Sequence, residues 1–334
     1  MTPPPPRFAI GYPVHPEQAE DFVAMVDDYR DHIAEVYYSW PGEASGRLSG
    51  PPDVFAQDRL VHDLDRFRSM GLATDLLFNA ACYGDEALSS ALVERISTII
   101  KAVAPIDVIT TTSPVIAQIV RDRHPGIALR ASVNLRLRSV EAFEPIADLF
   151  DAWYVARDVQ RNLATLKTLA TWSRAHGKQL CLLANSGCLR DCPTQSFHDN
   201  LVAHSLTMSD PGCGLEVAPF ACQRHLAAPE HRSAILQATW IRPEDLALYV
   251  PHVDLIKLAT RQHERPRAVL EAYTSASWPG NLLDLLEPTY STLIAPLILN
   301  SRAFPQDWPT QTADCDGICH RCDYCRQVAS RVFT

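Results

Sequence analysis

Four cysteines near the end of the chain are spaced so that one short loop can bring their sulfur atoms together. They are Cys315, Cys319, Cys322 and Cys325, in the pattern Cys-x3-Cys-x2-Cys-x2-Cys. A related compact run holds iron–sulfur clusters in bacterial ferredoxins, and four thiolates also bind zinc. Four idle thiols at this density would be prone to oxidation. We therefore predict a metal centre in this tail, with a 4Fe-4S cluster favoured and zinc as the alternative.

A second set of cysteines is spread over a longer stretch. Cys188 and Cys192 lie in the segment CLRDCP, and Cys222 follows further along the chain. Cys82, much earlier in the sequence, is the candidate for a fourth ligand. Thiols that come from separate loops would enclose a cofactor in a cavity, whereas the tail cysteines would lie at the periphery. We expect this second set to hold the cluster that takes part in catalysis.

Short apolar segments alternate with longer amphipathic ones along the chain. The eight strand candidates are residues 7–14, 33–40, 73–80, 107–112, 128–133, 152–159, 179–185 and 254–260. This alternation is typical of parallel strands joined by crossover helices. Ser113 and Pro114 are typical of the cap and the first residue of one such helix. Eight repeats predict an α/β fold of the (β/α)8 TIM-like barrel type, and no Gly-x-Gly-x-x-Gly follows the first strand to favour a dinucleotide-binding sheet.

The spacing of the strand candidates divides the chain into two parts. Residues 1–275 are predicted to form the barrel, with an insertion at 186–253 after strand seven, where one helix would normally suffice. Residues 276–334 form a proline-rich extension that carries the four tail cysteines.

The loops that follow the strands form the reactive face of such a barrel. Arg157 and Asp158 follow strand six, and Lys257 and Arg261 lie at the end of strand eight. The three cations predict a small polar or anionic substrate, which they would orient. His198, which is followed by an aspartate, could transfer protons beside the second cysteine set, although a structural role fits the sequence equally well. These five residues are the catalytic candidates.

Composition narrows the class of protein further. The net charge is −9 and the pI is about 5.7, so extensive binding to nucleic acid is not expected. No apolar run is long enough to span a membrane. The first residues lack the pattern of a secretion signal, so we expect a cytoplasmic protein whose ten cysteines stay reduced. Of these, Cys181 is predicted to be a core residue and Cys213 an idle loop residue.

Several enzyme signatures are absent from the sequence. There is no His-Glu-x-x-His of a zinc protease, no Gly-x-Ser-x-Gly of a serine hydrolase and no phosphate-binding Gly-x4-Gly-Lys-Ser/Thr loop. The order Cys-x3-Cys-x2-Cys of radical S-adenosylmethionine enzymes does occur, but at the end of the chain and not after the first strand.

Several segments together resemble the collagenase-like peptidase (U32-type) superfamily. They are LLANSGCLRDCP from Leu182, the later Cys222, IRPED from Ile241, IKLATR from Ile256 and GNLLDL from Gly280. That superfamily also contains the anaerobic ubiquinone-hydroxylation and RNA-base hydroxylation proteins, and the resemblance covers roughly residues 7–330. It implies a TIM-like barrel, an oxygen-sensitive four-iron cluster held by cysteines, and hydroxylation without dioxygen. Cys188 and Cys192 match the family's cysteines after strand seven, and the tail quartet departs from the hydroxylation proteins.

Three functions follow from these observations. The first is an iron–sulfur redox enzyme that acts on a small polar or anionic molecule, with a protein partner or electron donor. The second is a peptidase of the collagenase-like superfamily. The third is a non-catalytic iron–sulfur subunit of a redox complex.

Overall fold

A closed barrel of eight parallel strands forms the centre of the molecule. The computed structural model describes residues 6–47, 52–206 and 221–334, and Cys213 lies outside the described residues. The strands are β1 (Phe8–Gly11), β2 (Ile33–Tyr38), β3 (Ala73–Phe78), β4 (Val108–Thr111), β5 (Ala128–Ala131), β6 (Ala152–Tyr154), β7 (Gln179–Leu183) and β8 (Leu255–Lys257). They follow one another in chain order, and β1 pairs with β8 to close the barrel. The predicted (β/α)8 fold is confirmed.

Each strand lies inside its predicted interval but ends earlier than predicted. Val155 and Ala184 follow β6 and β7 directly and are completely buried, as is Leu258 after β8. The apolar pattern therefore continues past the last ladder hydrogen bond into the loops at the carboxyl ends of the strands. These loops are packed into the molecule, which gives the rim a rigid base.

Helices surround the barrel. They are α1 (Ala19–Asp28), α2 (Val54–Ser69), α3 (Ser90–Val103), α4 (Pro114–Arg123), α5 (Val140–Phe143), α6 (Leu163–Ala175), α7 (Gln195–Ala203), α8 (Ala221–Ala227), α9 (Ala234–Gln237), α10 (Pro266–Ser275), α11 (Ser291–Ile294), α12 (Trp308–Ala313) and α13 (Tyr324–Val332). The Ser113 hydroxyl accepts a hydrogen bond from the Ile116 amide at 3.2 Å, and Pro114 is the first residue of α4, as predicted. Across the described ranges, no helix has the length and apolar character needed to cross a membrane.

The extension after α10 packs against the barrel and shares its core. Leu283, Trp308 and Val332 are almost completely buried and belong to the same continuous apolar cluster as Ile10 and Trp153 of the barrel. The segment between β7 and β8 contributes α7, α8 and α9 together with short 3-10 turns. The insertion and the extension therefore both lie against the barrel.

Asn185, just after β7, ties the extension to the barrel. Its side-chain amide donates to the carbonyl oxygens of Ala259 (3.1 Å) and Leu285 (2.9 Å), and its Oδ1 accepts from the Ala259 amide at 2.6 Å. Asn185 is completely buried. Buried backbone groups need such partners, because water cannot replace them.

We expect Asn185→Leu to lower the free energy of unfolding by about 3 kcal/mol, because it leaves buried backbone groups of Ala259 and Leu285 without partners. Urea unfolding followed by tryptophan fluorescence measures the change. Asn200→Leu, on the exposed side of α7, is the matched control and should stay within about 0.5 kcal/mol of the wild type. Equal losses of unfolding free energy in the two variants would contradict the role of Asn185 in joining the extension to the barrel.

Candidate functional site

Charged side chains fill the centre of the barrel and neutralise one another. The Arg130 guanidinium on β5 donates to both carboxylate oxygens of Glu35 on β2, at 2.6 and 2.9 Å, and lies 3.3 Å from Asp75 Oδ2 on β3. The Thr110 hydroxyl donates to the same Asp75 oxygen at 2.8 Å. All four side chains are buried. Because a buried charge is costly without a partner, each member of this network depends on the others.

Lys257 on β8 lies above this network and faces two tyrosines. Its Nζ is 3.4 Å from the ring centre of Tyr37 and 5.5 Å from that of Tyr154. Burial lowers the pKa of Lys257 to about 8, although Asp75 and Glu35 act in the opposite direction. Burial has the opposite effect on the carboxyl group of Asp75, whose pKa it raises to about 7. A lysine and a carboxyl group that change protonation near neutral pH can act in proton transfer.

Several buried polar atoms of this region have no hydrogen-bond partner among the described residues. They include the Tyr154 hydroxyl, Asp75 Oδ1, Arg130 Nε and Arg157 Nη2. Unsatisfied buried polar atoms are rare in folded proteins and call for an explanation such as a bound ligand or water. Tyr154 and Arg157 line a cavity at the mouth of the barrel, so they are available to a ligand there.

The mouth cavity has a volume of about 70 Å³. It is lined by side chains from the ends of several strands, including Asn79, Thr110, Ser132, Arg157, Lys257 and Arg261. The predicted rim residues Arg157, Lys257 and Arg261 are therefore brought together. Arg261 Nη1 donates to the Ser45 hydroxyl at 2.9 Å. Burial lowers the pKa of Arg261 to about 10, so its guanidinium stays charged at neutral pH.

A larger cavity of about 430 Å³ adjoins the mouth and is lined by three cysteines. Cys188, Cys192 and Cys222 contribute to its wall together with His198 and Tyr290. The two cavities share three lining residues, namely Arg47, Gln262 and Glu287. The larger cavity is of the size that holds small ligands and cofactors in proteins, and it is contiguous with the mouth cavity.

Two arginines approach the sulfur atom of Cys188. Arg157 Nη1 donates to it at 3.5 Å, and the Arg47 guanidinium interacts with the same thiol. Arg47 also forms an ion pair with Glu287, with a distance of 3.6 Å between Nε and Oε1. These cations can balance negative charge on the cysteine side of the cavity.

The three thiols are close enough to influence one another electrostatically. Burial raises the pKa of the Cys222 thiol, the Tyr290 hydroxyl acts against this, and Cys188 and Cys192 raise it further. Burial also raises the pKa of Tyr290 far above its usual value, and all three cysteines add to that effect. The three cysteines predicted to act together therefore face a common space.

Cys82 lies in the loop after β3 and is not joined to this group by the contacts of the described residues. Its sulfur accepts a hydrogen bond from the Gly84 amide at 3.3 Å. Among the described thiols, those that act on Cys222 are Cys188 and Cys192. Cys82 as a fourth ligand stays a prediction.

The candidate residues His198 and Asp158 lie at two different cavities. His198 lines the cysteine cavity, and its pKa is lowered by burial and by Arg47, with Asp199 acting in the opposite direction. Asp158 forms an ion pair with Arg138 and lines a separate cavity beside the tail cysteines. His198 is therefore positioned beside the three thiols, whereas Asp158 belongs to the other cysteine site.

The tail cysteines form a site of their own. Cys315, Cys319 and Cys325 line a cavity of about 150 Å³, and Cys322 is exposed. Burial raises the pKa of Cys325 to about 11; Arg161 lowers it, and the other three thiols of the tail raise it. All four tail cysteines therefore influence one another electrostatically, and a metal centre formed by them stays a prediction.

No group of three or more cysteine, histidine or acidic side chains within the described ranges is arranged to hold a metal ion. An iron–sulfur cluster is larger than one ion, and its cysteine ligands bind different iron atoms. Its ligands are therefore further apart than those of a mononuclear site. Cys181, by contrast, is completely buried on β7 among apolar neighbours, as predicted for a core cysteine.

The buried network and two of the residues that flank the cysteines, Arg47 and Tyr290, are not among the candidates predicted from the sequence. The strands that carry Glu35, Asp75 and Arg130 are otherwise mostly apolar. An isolated charged residue in such a strand could have indicated a buried charged network. Arg47 and Tyr290 come from loops far from Cys188 in the chain, and no local pattern marks them.

The described residues thus form a barrel with a cysteine-lined mouth, and two known proteins are similar to this chain. No family profile matches the sequence. The chain is 28% identical over 160 residues to the uncharacterized protease MJ1657 of Methanocaldococcus jannaschii, a match that covers 46% of each chain. This chain thus matches about half the length of that relative. The structure of the U32 peptidase Mk0906 has a TM-score of 0.54 and 14% identity, and covers 78% of this chain and 96% of its own.

These two comparisons support the predicted resemblance to the U32 collagenase-like superfamily. The structural match, at 14% identity, shows a common fold, and the sequence match shows similarity to the MJ1657 protease over about half of the chain.

Asp75 is expected to make stability depend on pH. Its pKa is raised in the folded protein, so the stability it contributes is present below the pKa of the unfolded chain and is lost as the pH rises through about 7. Relative to Asp75→Asn, the wild type should therefore lose unfolding free energy between about pH 5 and about pH 8. Urea unfolding of both proteins at the two pH values measures this, and a constant difference would contradict the buried carboxyl group.

Proposed function

We propose that this protein is an iron–sulfur redox enzyme that carries out a dioxygen-independent hydroxylation, or a related redox step, on a small polar or anionic molecule. The observation that carries the proposal is the placement of Cys188, Cys192 and Cys222 around one cavity that is contiguous with the mouth of the barrel. In this proposal the three cysteines hold a 4Fe-4S cluster, and Cys82 or another group completes the set.

The donor chemistry of the cavity suits such a cluster. Thiolates are the usual ligands of iron–sulfur clusters, and a thiolate-bound cluster is negatively charged. Arg157 and Arg47 lie against Cys188 and would compensate that charge. Tyr290 is buried beside the three thiols, so its ring would restrict the access of water to them.

The cluster, when bound, would supply electron transfer or Lewis acidity. The chain's own residues would bind and orient the substrate at the mouth. Arg261 offers a buried positive charge to an anion, and the Tyr154 hydroxyl offers a free hydrogen-bonding atom. Lys257 Nζ, with its pKa near neutrality, would accept or donate a proton, and His198 would do so on the cysteine side.

The chemistry also requires a partner. Replacing a C–H bond by C–OH with water as the oxygen source releases two electrons and two protons. A redox protein or another electron acceptor must take up these electrons. The acidic surface implied by the net charge of −9 would favour a partner with a basic docking surface.

Peptide hydrolysis is the competing function, because both similar proteins carry protease or peptidase in their names. A hydrolase would need no iron, and its activity would survive the removal of metal. A third function, a non-catalytic iron–sulfur subunit, would retain iron but show no activity without its partner.

We expect protein purified without oxygen to contain iron and acid-labile sulfide and to show broad visible absorption. Cys188→Ser should lose the share of iron bound at the mouth, because one thiolate ligand is removed. Cys181→Ala, which removes a thiol from the barrel interior, is the matched control and should keep its iron. Iron and sulfide per chain, with circular dichroism as a check of folding, measure the outcome.

Equal iron content in wild type and in a folded Cys188→Ser variant would overturn the mouth cluster. Peptidase activity in a metal-free preparation would favour the competing hydrolase. Iron that is retained without any activity in the isolated chain would favour the subunit.

A further inference from the structure

The loop that carries the tail cysteines is held against the barrel. Asn162 Nδ2 donates to the Cys315 carbonyl oxygen at 3.3 Å. Within the loop, the Gly317 amide donates to the Cys315 sulfur at 3.3 Å. Hydrogen bonds to cysteine sulfur are a feature of metal-bound thiolates, whose properties they tune. The loop is thus positioned by the barrel and partly organised around its first sulfur.

Arg161 supplies an observation independent of the cysteine spacing. It is only 7% exposed, its Nη2 donates to the Leu236 carbonyl oxygen at 3.0 Å, and its guanidinium lies 5.3 Å from the ring centre of Trp308. Among the described residues, no carboxylate pairs with it; the acidic groups that act on it include Cys315 and Cys325. A buried positive charge without a counter-ion is unfavourable, so this guanidinium calls for negative charge in the cavity that it lines with these thiols.

Arg190 brings a second guanidinium to the same cavity, although its Nε also forms an ion pair with Asp191 at 3.5 Å. Gly317 has a φ of +76°, and a Cβ atom placed there would lie 2.0 Å from Arg190 Nη2. The guanidinium therefore packs directly on the backbone between Cys315 and Cys319. Arg190 also lines a cavity on its other side, together with Cys192 and Cys222. One side chain thus lies between the two sets of cysteines.

We propose that Cys315, Cys319, Cys322 and Cys325 bind a second, tetrathiolate metal centre whose negative charge is neutralised by Arg161 and Arg190. Four thiolates around a divalent ion, or around a cluster core of charge +2, leave a net charge of −2, which Arg161 offsets together with Arg190, whose charge is shared with Asp191. The short spacing keeps the four cysteines within one loop; in the described residues their sulfurs are not gathered around a single ion, and the ligands of a cluster core lie further apart. This centre does not depend on the function proposed for the barrel mouth.

The position of Arg190 also predicts what the second centre does. Because a single arginine separates the two cysteine sets, an iron-containing centre in the tail could exchange one electron with a cluster at the mouth, the first being oxidised as the second is reduced. This role rests on the proposed function. Zinc has no redox chemistry, so a zinc centre would only hold the loop in place.

The experiment compares metal and sulfide per chain in the anaerobically purified full-length protein and its variants. Cys322→Ser is the main variant, because Cys322 is exposed and its replacement should leave folding intact. We expect it to lose the tail's share of metal and to keep the mouth's share, whereas Cys188→Ser should do the reverse. Iron with sulfide in the tail supports electron exchange. Zinc in the tail supports the centre and excludes that exchange.

Arginine variants test the charge argument. Arg161→Gln should speed the loss of tail metal to a chelator by about tenfold or more, as is usual when groups around metal ligands are removed. Arg161→Lys should restore most of the retention, and Arg302→Gln, at an exposed arginine, is the control. Circular dichroism confirms folding in each case.

A folded Cys322→Ser variant with the same metal content as wild type would overturn the second centre, and so would loss of all metal in Cys188→Ser. If the mouth binds no metal, Cys188→Ser keeps the full wild-type content while Cys322→Ser loses it. That result would refute the proposed function and leave the tail centre standing.

Discussion

Closure of the parallel sheet is the constraint on which the rest of the structure depends. Because all eight strands run in the same direction and β1 pairs with β8, every strand ends on the same rim. Residues that are far apart in the chain, such as Arg157 and Arg261, therefore line one cavity. The same closure forces the segment after β7 to leave the barrel at the mouth, which places Cys188 and Cys192 above it.

The distribution of buried charge divides the interior into two zones. Below the mouth, Arg130 is paired with Glu35 and Asp75, so its positive charge is balanced by carboxylates within the barrel. At the rim, Arg157 and Arg261 are equally buried but form no ion pair within the part of the chain that the structure describes. Thiols and open cavities lie beside them instead. Positive charge without carboxylate partners is a reason to expect negatively charged occupants at the rim.

The sequence predicts the barrel well, because each strand is a short apolar run and each run is locally readable. It also shows two local groups of cysteines, Cys188 with Cys192 and the four of the tail, whereas cluster binding at either group stays a prediction. It does not reveal Arg161 or Arg190, which act on cysteines more than a hundred positions away. The sequence also does not show that the neighbouring residues Arg157 and Asp158 line different cavities. They do so because the chain turns through a short 3-10 helix at Arg157–Val159.

The central claim is that thiolates from separate loops hold iron at the open end of the barrel. The most direct measurement is a crystal structure of protein grown without oxygen, with anomalous scattering collected at the iron edge. We expect iron peaks in the cavity bounded by Cys188, Cys192 and Cys222, within bonding distance of their sulfurs. A well-ordered cavity in which these sulfurs are bonded to no metal and no iron signal is found would contradict it.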